Sequence, residues 1–129
     1  MKLMKVLLSI KPEFVEEIID GRKKFEYRKN IFKRTDVSTV IVYATKPLGK
    51  VIGEFKIENI IKDRPSNIWE KTNKYSGITK QFFDEYFKNK EIGFAIQIKN
   101  FIKYDIPLEL NNIDNNIKSA PQSFYYIKE

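Results

Sequence analysis

Residues 51–58 constrain the fold more than any other stretch. Val51, Gly53, Phe55 and Ile57 alternate with Ile52, Glu54, Lys56 and Glu58. A period of two belongs to a strand, whose successive side chains face opposite sides of a sheet. Other runs read the same way. Leu3 to Ile10 and Ser38 to Thr45 are apolar on both faces and read as buried strands. Lys24 to Lys29 puts Phe25 and Tyr27 on one face and Lys24, Glu26 and Arg28 on the other, predicting an aromatic inner face and a charged outer one. Phe94, Ile96 and Ile98 give a further strand, and 101–106 one more, stopped by Pro107. Phe124 to Ile127 reads as a closing strand.

Helical signals are fewer. Pro12 suits a first helical position, Phe14, Val15, Ile18 and Ile19 recur at helical spacing, and Gly21 suits the left-handed cap beyond, so 12–20 is a predicted helix. Ile68 and Trp69 fall on a short helix that Ser66 would cap. Another starts at Thr79, with an apolar stripe of Phe82, Phe83, Tyr86 and Phe87 and Ile78 stapled across its cap. Residues 109–120 are Asn-rich and loop-like. Strands outnumber helices and most connections are too short for parallel crossovers. The predicted class is α+β: a small, mainly antiparallel β-barrel with two or three short flanking helices. The 129 residues suffice for one domain, 1–129, and not for two cores.

Absence narrows the chemistry. The chain has no His and no Cys, which excludes a Ser-His-Asp triad, a His- or Cys-ligated metal, a thiol nucleophile and a disulfide. Catalysis, if any, falls to Lys, Arg, Glu, Asp, Tyr, Ser or Thr, and no metal or cofactor is called for. No stretch reaches the ~20 apolar residues of a membrane span, and no signal segment is visible, so a cytoplasmic protein is expected. The net charge is +7, with 15 basic and 9 acidic residues up to Arg64, and 9 and 8 beyond it. Residues 22–34 hold seven basic side chains (Arg22, Lys23, Lys24, Arg28, Lys29, Lys33, Arg34) against Glu26 alone. A localised excess of this kind points to a phosphate-bearing partner.

Gly21, Lys23, Glu26 and Arg28 spell Gly-x-Lys-x-x-Glu-x-Arg just after the first helix. This resembles the signature of the ASCH domain, a branch of the PUA-like superfamily. Leu7-Leu8-Ser9-Ile10-Lys11-Pro12 looks like the family's entry strand and helix start. Tyr43-Ala44-Thr45-Lys46-Pro47 with Val51-Ile52-Gly53-Glu54-Phe55 looks like its central hairpin, and Pro121-Gln122-Ser123-Phe124 like its closing segment. The chain looks nearest to bacterial and archaeal members labelled predicted transcriptional regulators. Some of those carry a separate helix-turn-helix domain, for which this chain has no room.

The resemblance implies a PUA-like barrel with a cleft that holds RNA, lined by Lys23, Glu26 and Arg28. Arg28 offers a planar fork to a phosphate or base edge, and Glu26 can orient it or accept from an exocyclic amine. Lys11, Tyr43, Thr45, Trp69 and Gln122 complete the candidate set, an exposed aromatic serving as a stacking platform. A structural reading stands beside this one. Glu26 and Arg28 also suit an ion pair between strands, Trp69 and the Phe82–Phe87 stripe suit the core, and the edge lysines suit a solvated surface. The leading expectation is a binding module for RNA or a modified nucleoside within it. No helix carries the basic residues that duplex readout would need. The alternative is a metal-independent hydrolase with Lys23 and Glu26 as catalytic residues, acting on single-stranded RNA or on acylated cytidine. In the amidohydrolase branch a Thr stands where this chain has Glu26, paired with a catalytic Lys matching Lys23.

Overall fold

The computed structural model describes residues 4–121 and 124–128. Strand β1 (Met4–Ile10) leads through Lys11 into helix α1 (Pro12–Ile19), with Pro12 in the first turn and Gly21 at φ +79° beyond its end. Strand β2 (Phe25–Arg28) follows, then β3 (Val37–Ala44) and the long β4 (Lys50–Asp63). Helix α2 (Pro65–Thr72), a single 3-10 turn and helix α3 (Lys80–Tyr86) lead to β5 (Gly93–Leu108). The short helix α4 (Leu110–Ile113) and strand β6 (Tyr125–Lys128) come last.

The strands form one sheet in the order β2-β5-β4-β3-β1-β6. Among the described residues four pairings are antiparallel, and β1 and β3 run parallel, Leu7 opposite Ile41 and Ser9 opposite Tyr43. The segment from Lys11 to Asp36, holding α1 and β2, is the crossover that permits this one parallel pair. Register shifts at Val51/Gly53, Glu54/Lys56 and Ile57/Asn59 bend the β4–β5 ribbon, with Asn100 in the left-handed region at φ 53°.

The fold is α+β, as expected, but three details are corrected. The sheet does not close into a barrel: β2 and β6, four residues each, stand at opposite edges, and among the described residues no ladder joins them. The two strands expected at 94–98 and 101–106 are one, because Asn100 absorbs the irregularity between them without breaking the pairing to β4. Ser66 does not cap α2. Arg64 occupies the cap position, and the Asp63 carboxylate takes the Arg64 amide at 2.7 Å and the Asn67 side chain at 3.0 Å. Thr79 does cap α3, its hydroxyl accepting the Phe82 amide at 3.1 Å.

Side-chain alternation divides the core. Val6, Leu8 and Ile10 meet Val40, Val42, Phe55 and Ile96, and α1 lays Val15 and Ile18 on that face. Burying each such aliphatic contributes roughly 1.5–3 kcal/mol. Leu7, Ile41, Tyr43 and Val51 form a separate cluster with Ile117, flanked by Leu110 and Ile113 of α4. A third packs Phe25, Tyr27 and Ala95 against Ile68 of α2 and Phe83 and Phe87. No helix among the described residues is long and apolar enough to cross a membrane.

Candidate functional site

Three segments converge on a cleft of about 180 Å³. The end of β1 and start of α1 supply Ser9, Ile10, Lys11 and Phe14; β2 and the residue before Lys24 supply Lys23, Glu26, Tyr27 and Arg28; the approach to α3 and its exposed side supply Ile78, Phe82 and Tyr86. The volume lies below the roughly 300–1,000 Å³ of ligand sites that enclose a whole drug-sized molecule. It admits one small group, such as a base or a phosphate.

Lys23 is the unusual feature. It is 2% exposed, among the most completely buried side chains in the protein. Its ammonium donates to the Ser76 carbonyl at 2.8 Å and lies 4.7 Å from the centre of the Tyr27 ring and 5.3 Å from that of Phe14. The stem passes against Gly77, at φ +65°, where an added Cβ would meet the Lys23 Cβ at 2.4 Å. Only glycine fits there, on both steric and conformational grounds. Burial pushes the Lys23 amine down to about 8, against the pull of Glu26 and Glu17 in the other direction.

Glu26 is 6% exposed, so the face expected to be charged and outward is instead turned into the cleft. Burial raises its carboxyl above the usual range, and Lys23 and Arg28 oppose that shift. Arg28 approaches Glu26 at 3.7 Å with its side chain 15% exposed. Tyr27 is pushed up to about 12 by burial, its hydroxyl sharing a hydrogen bond of 2.8 Å with Thr72. Lys11 stands exposed at the rim, its ammonium 5.1 Å from the centre of the Phe82 ring. Three cations thus face one carboxylate.

Lys11, Lys23, Glu26 and Arg28 of the sequence candidates are therefore together. Tyr43, Thr45 and Trp69 are not among the lining residues. Tyr43 is buried with Leu7 and Val51 on the other side of the sheet. Trp69 packs on Phe83 at 4.9 Å. The amide of Thr45 donates to the Ile10 carbonyl at 3.0 Å. Gln122 lies outside the described residues. The Ser9 hydroxyl donates to the Pro121 carbonyl at 2.9 Å, which holds Pro121 near the cleft.

Sequence reasoning missed Phe14, Ser76, Gly77, Phe82 and Tyr86. For α3 a signal existed. Four aromatics at 82, 83, 86 and 87 form two pairs at i, i+4, and only Phe83 and Phe87 are buried. Phe82 and Tyr86 form a second, cleft-facing pair. For Ser76 and Gly77 nothing in the local sequence announces contact with Lys23, which stands 53 positions before Ser76.

The family described as the ASCH domain matches residues 8–102, most of the chain. This protein belongs to the ASCH domain family. Its fold aligns with the crystal structure of ASCH from Zymomonas mobilis at a TM-score of 0.86 and 26% identity, covering 97% of this chain and 88% of that one. The ASCH domain-containing ribonuclease of Zymomonas mobilis is 27% identical over 94 residues, 73% of this chain and 64% of the relative. The large ribosomal subunit protein uL22 of Ureaplasma parvum is 31% identical over 128 residues. The ASCH chain spans 95% of itself but 39% of the length of that relative. Among the described residues no cluster of acidic side chains could hold a metal ion.

Proposed function

We propose that this ASCH domain binds single-stranded RNA, or a modified nucleoside within it, with one base or phosphate group seated in the cleft. The observation that carries this is the buried Lys23 ammonium gathered with Glu26 and Arg28 in a hollow that Phe14, Phe82 and Tyr86 also line. Lys23 and Arg28 donate to phosphate or base oxygens, Glu26 accepts from an exocyclic amine, and Phe14, Phe82 and Tyr86 supply apolar faces. The Zymomonas relative named a ribonuclease supports the choice of RNA. In this reading residues 1–129 act as one PUA-like unit in the cytoplasm, and retention without turnover is also what a regulator built on it would need.

The test is fluorescence anisotropy with labelled single-stranded RNA. Lys23→Met, which keeps the buried stem, and Arg28→Ala should each weaken binding at least ten-fold, with an unchanged far-ultraviolet circular dichroism spectrum. Binding like wild type in both variants sinks the assignment.

A second reading rests on the opposed shifts of Lys23 and Glu26, which favour a neutral amine and a protonated acid. In a ribonuclease of this design, neutral Lys23 accepts the 2′-hydroxyl proton as that oxygen attacks phosphorus. The P–O5′ bond breaks, and Glu26 gives its proton to the leaving oxygen. Chelator-resistant RNA cleavage that disappears in Lys23→Met would establish it. Hydrolysis of acylated cytidine is not expected, because Glu26 stands where that branch has Thr.

A further inference from the structure

The loop after β2 and the strand β6 leave a groove between them where a barrel would have closed. It holds about 830 Å³ and is lined by Ile31, Lys33, Arg34, Phe94, Phe124 and Tyr126, with Asn30 at its end. Its walls are aromatic: the Phe124 and Tyr126 rings stand 5.3 Å apart, and both side chains are half-buried, as is Phe94. Its rim is basic. Lys33 and Arg34 are exposed, and their amides donate to the Tyr126 hydroxyl at 3.1 and 3.3 Å. No acid is among the described lining residues. Asp36, beyond the groove, is held by Arg34 at 2.7 Å.

The groove adjoins the cleft. Arg28, in the cleft, is paired across the β2–β5 ladder with Phe94, in the groove. Between them Lys29 places its ammonium 4.8 Å above the ring of Tyr86, itself a cleft residue. A path therefore runs from cleft to groove with alternating cations and aromatic faces. That alternation suits a single-stranded nucleic acid, whose phosphates recur on one side and whose bases stack on the other. An acidic peptide would use the cations but leave the flat rings without a counterpart.

The geometry points to a second RNA subsite in this seam, where nucleotides flanking the one in the cleft stack on Phe94, Phe124 and Tyr126 with their phosphates on Lys29 and Lys33. This rests on the cleft reading for its register but on different residues for its evidence.

The experiment measures binding of a dinucleotide and of a single-stranded decamer RNA to the full chain. The wild type should bind the decamer at least ten-fold more tightly. Lys33→Glu, at an exposed groove residue outside the cleft, should leave dinucleotide binding within two-fold and remove much of the decamer's gain. Phe124→Leu, which keeps an apolar side chain but no flat ring, should weaken the decamer about five-fold or more while dinucleotide binding stays within two-fold. Decamer binding like wild type in both variants overturns the groove and leaves the cleft. Sensitivity to these variants with none to Arg28→Ala overturns the cleft and leaves the groove. Equal affinity of the wild type for both lengths overturns the groove, and no affinity for either overturns both. A polyglutamate of equal charge bound as tightly as the decamer overturns RNA as the occupant.

Discussion

Lys23 carries an ammonium into a place almost closed to water, and its stability cost there depends on pH. Its folded value, about 8, lies below the 10.5 of an unhindered lysine. Between those values the unfolded chain holds a proton that the folded chain has released. Stability therefore rises with pH across the window, by roughly 1 kcal/mol per pH unit from this group. Below about 8 the amine is charged in both states, and that contribution is gone. Urea titrations of the wild type and Lys23→Met, compared at pH 7.5 and 9.5, read the effect as a difference, which cancels the other titrating lysines and tyrosines. The wild type should gain on the variant as pH rises; equal gains would show that the ammonium is solvated. At this same scale the motif was legible, because Gly21, Lys23, Glu26 and Arg28 stand close in sequence. Their burial was not. Alternation along β2 assigns Glu26 and Arg28 to the face opposite Phe25 and Tyr27, but it does not say that α1 and α3 cover that face too.

The connection between β4 and β5 decides whether the site exists. It runs from α2 through the 3-10 turn to α3, and it delivers Ser76 and Gly77 to Lys23 and Phe82 and Tyr86 to the cleft. The Tyr75 carbonyl also accepts the Lys24 amide at 2.8 Å, so this segment is pinned to the start of β2 at two consecutive residues. Gly77→Ala places a methyl carbon on the Lys23 stem and strains a left-handed residue. A loss of about 1–3 kcal/mol in stability is expected, together with weaker RNA binding as Lys23 is displaced. Chemical denaturation and anisotropy on the same sample check it; an unchanged affinity and midpoint would mean that the segment moves freely away from Lys23. The helices themselves were visible as Pro12, the Thr79 cap and the i, i+4 aromatics. Their assignment to core or cleft was not, since both uses ask for the same apolar residues at the same spacing.

Across the whole molecule the basic excess is distributed rather than pooled. Of the seven cations at 22–34, Arg22 is held by Glu17 and Asp20, Lys23 is buried, and Lys24 lies 4.3 Å from the centre of the Tyr75 ring. Arg28 enters the cleft, while Lys29, Lys33 and Arg34 follow the seam towards β6. With Lys11 at the rim, four cations (Lys11, Arg28, Lys29 and Lys33) meet the phosphates of a strand long enough to cover cleft and seam. Each phosphate neutralised on a single strand contributes about −0.7 to the slope of log K against log salt, so a slope on the order of −3 is expected. Anisotropy titrations between low and physiological salt measure it. A slope near zero would remove phosphate contacts from the binding account.

Local pattern by itself located the strands, though it split β5 in two, and it located three of the four described helices, the left-handed Gly21 and the family signature, because each is written in residues a few positions apart. The tertiary structure decided what those elements enclose. One parallel pairing of β1 with β3 carries α1 and β2 to the site, and unpaired edges at β2 and β6 leave a groove in place of a closed barrel. Lys23 reaches Ser76 across 53 positions, and such contacts arise from chain packing, which no periodicity records.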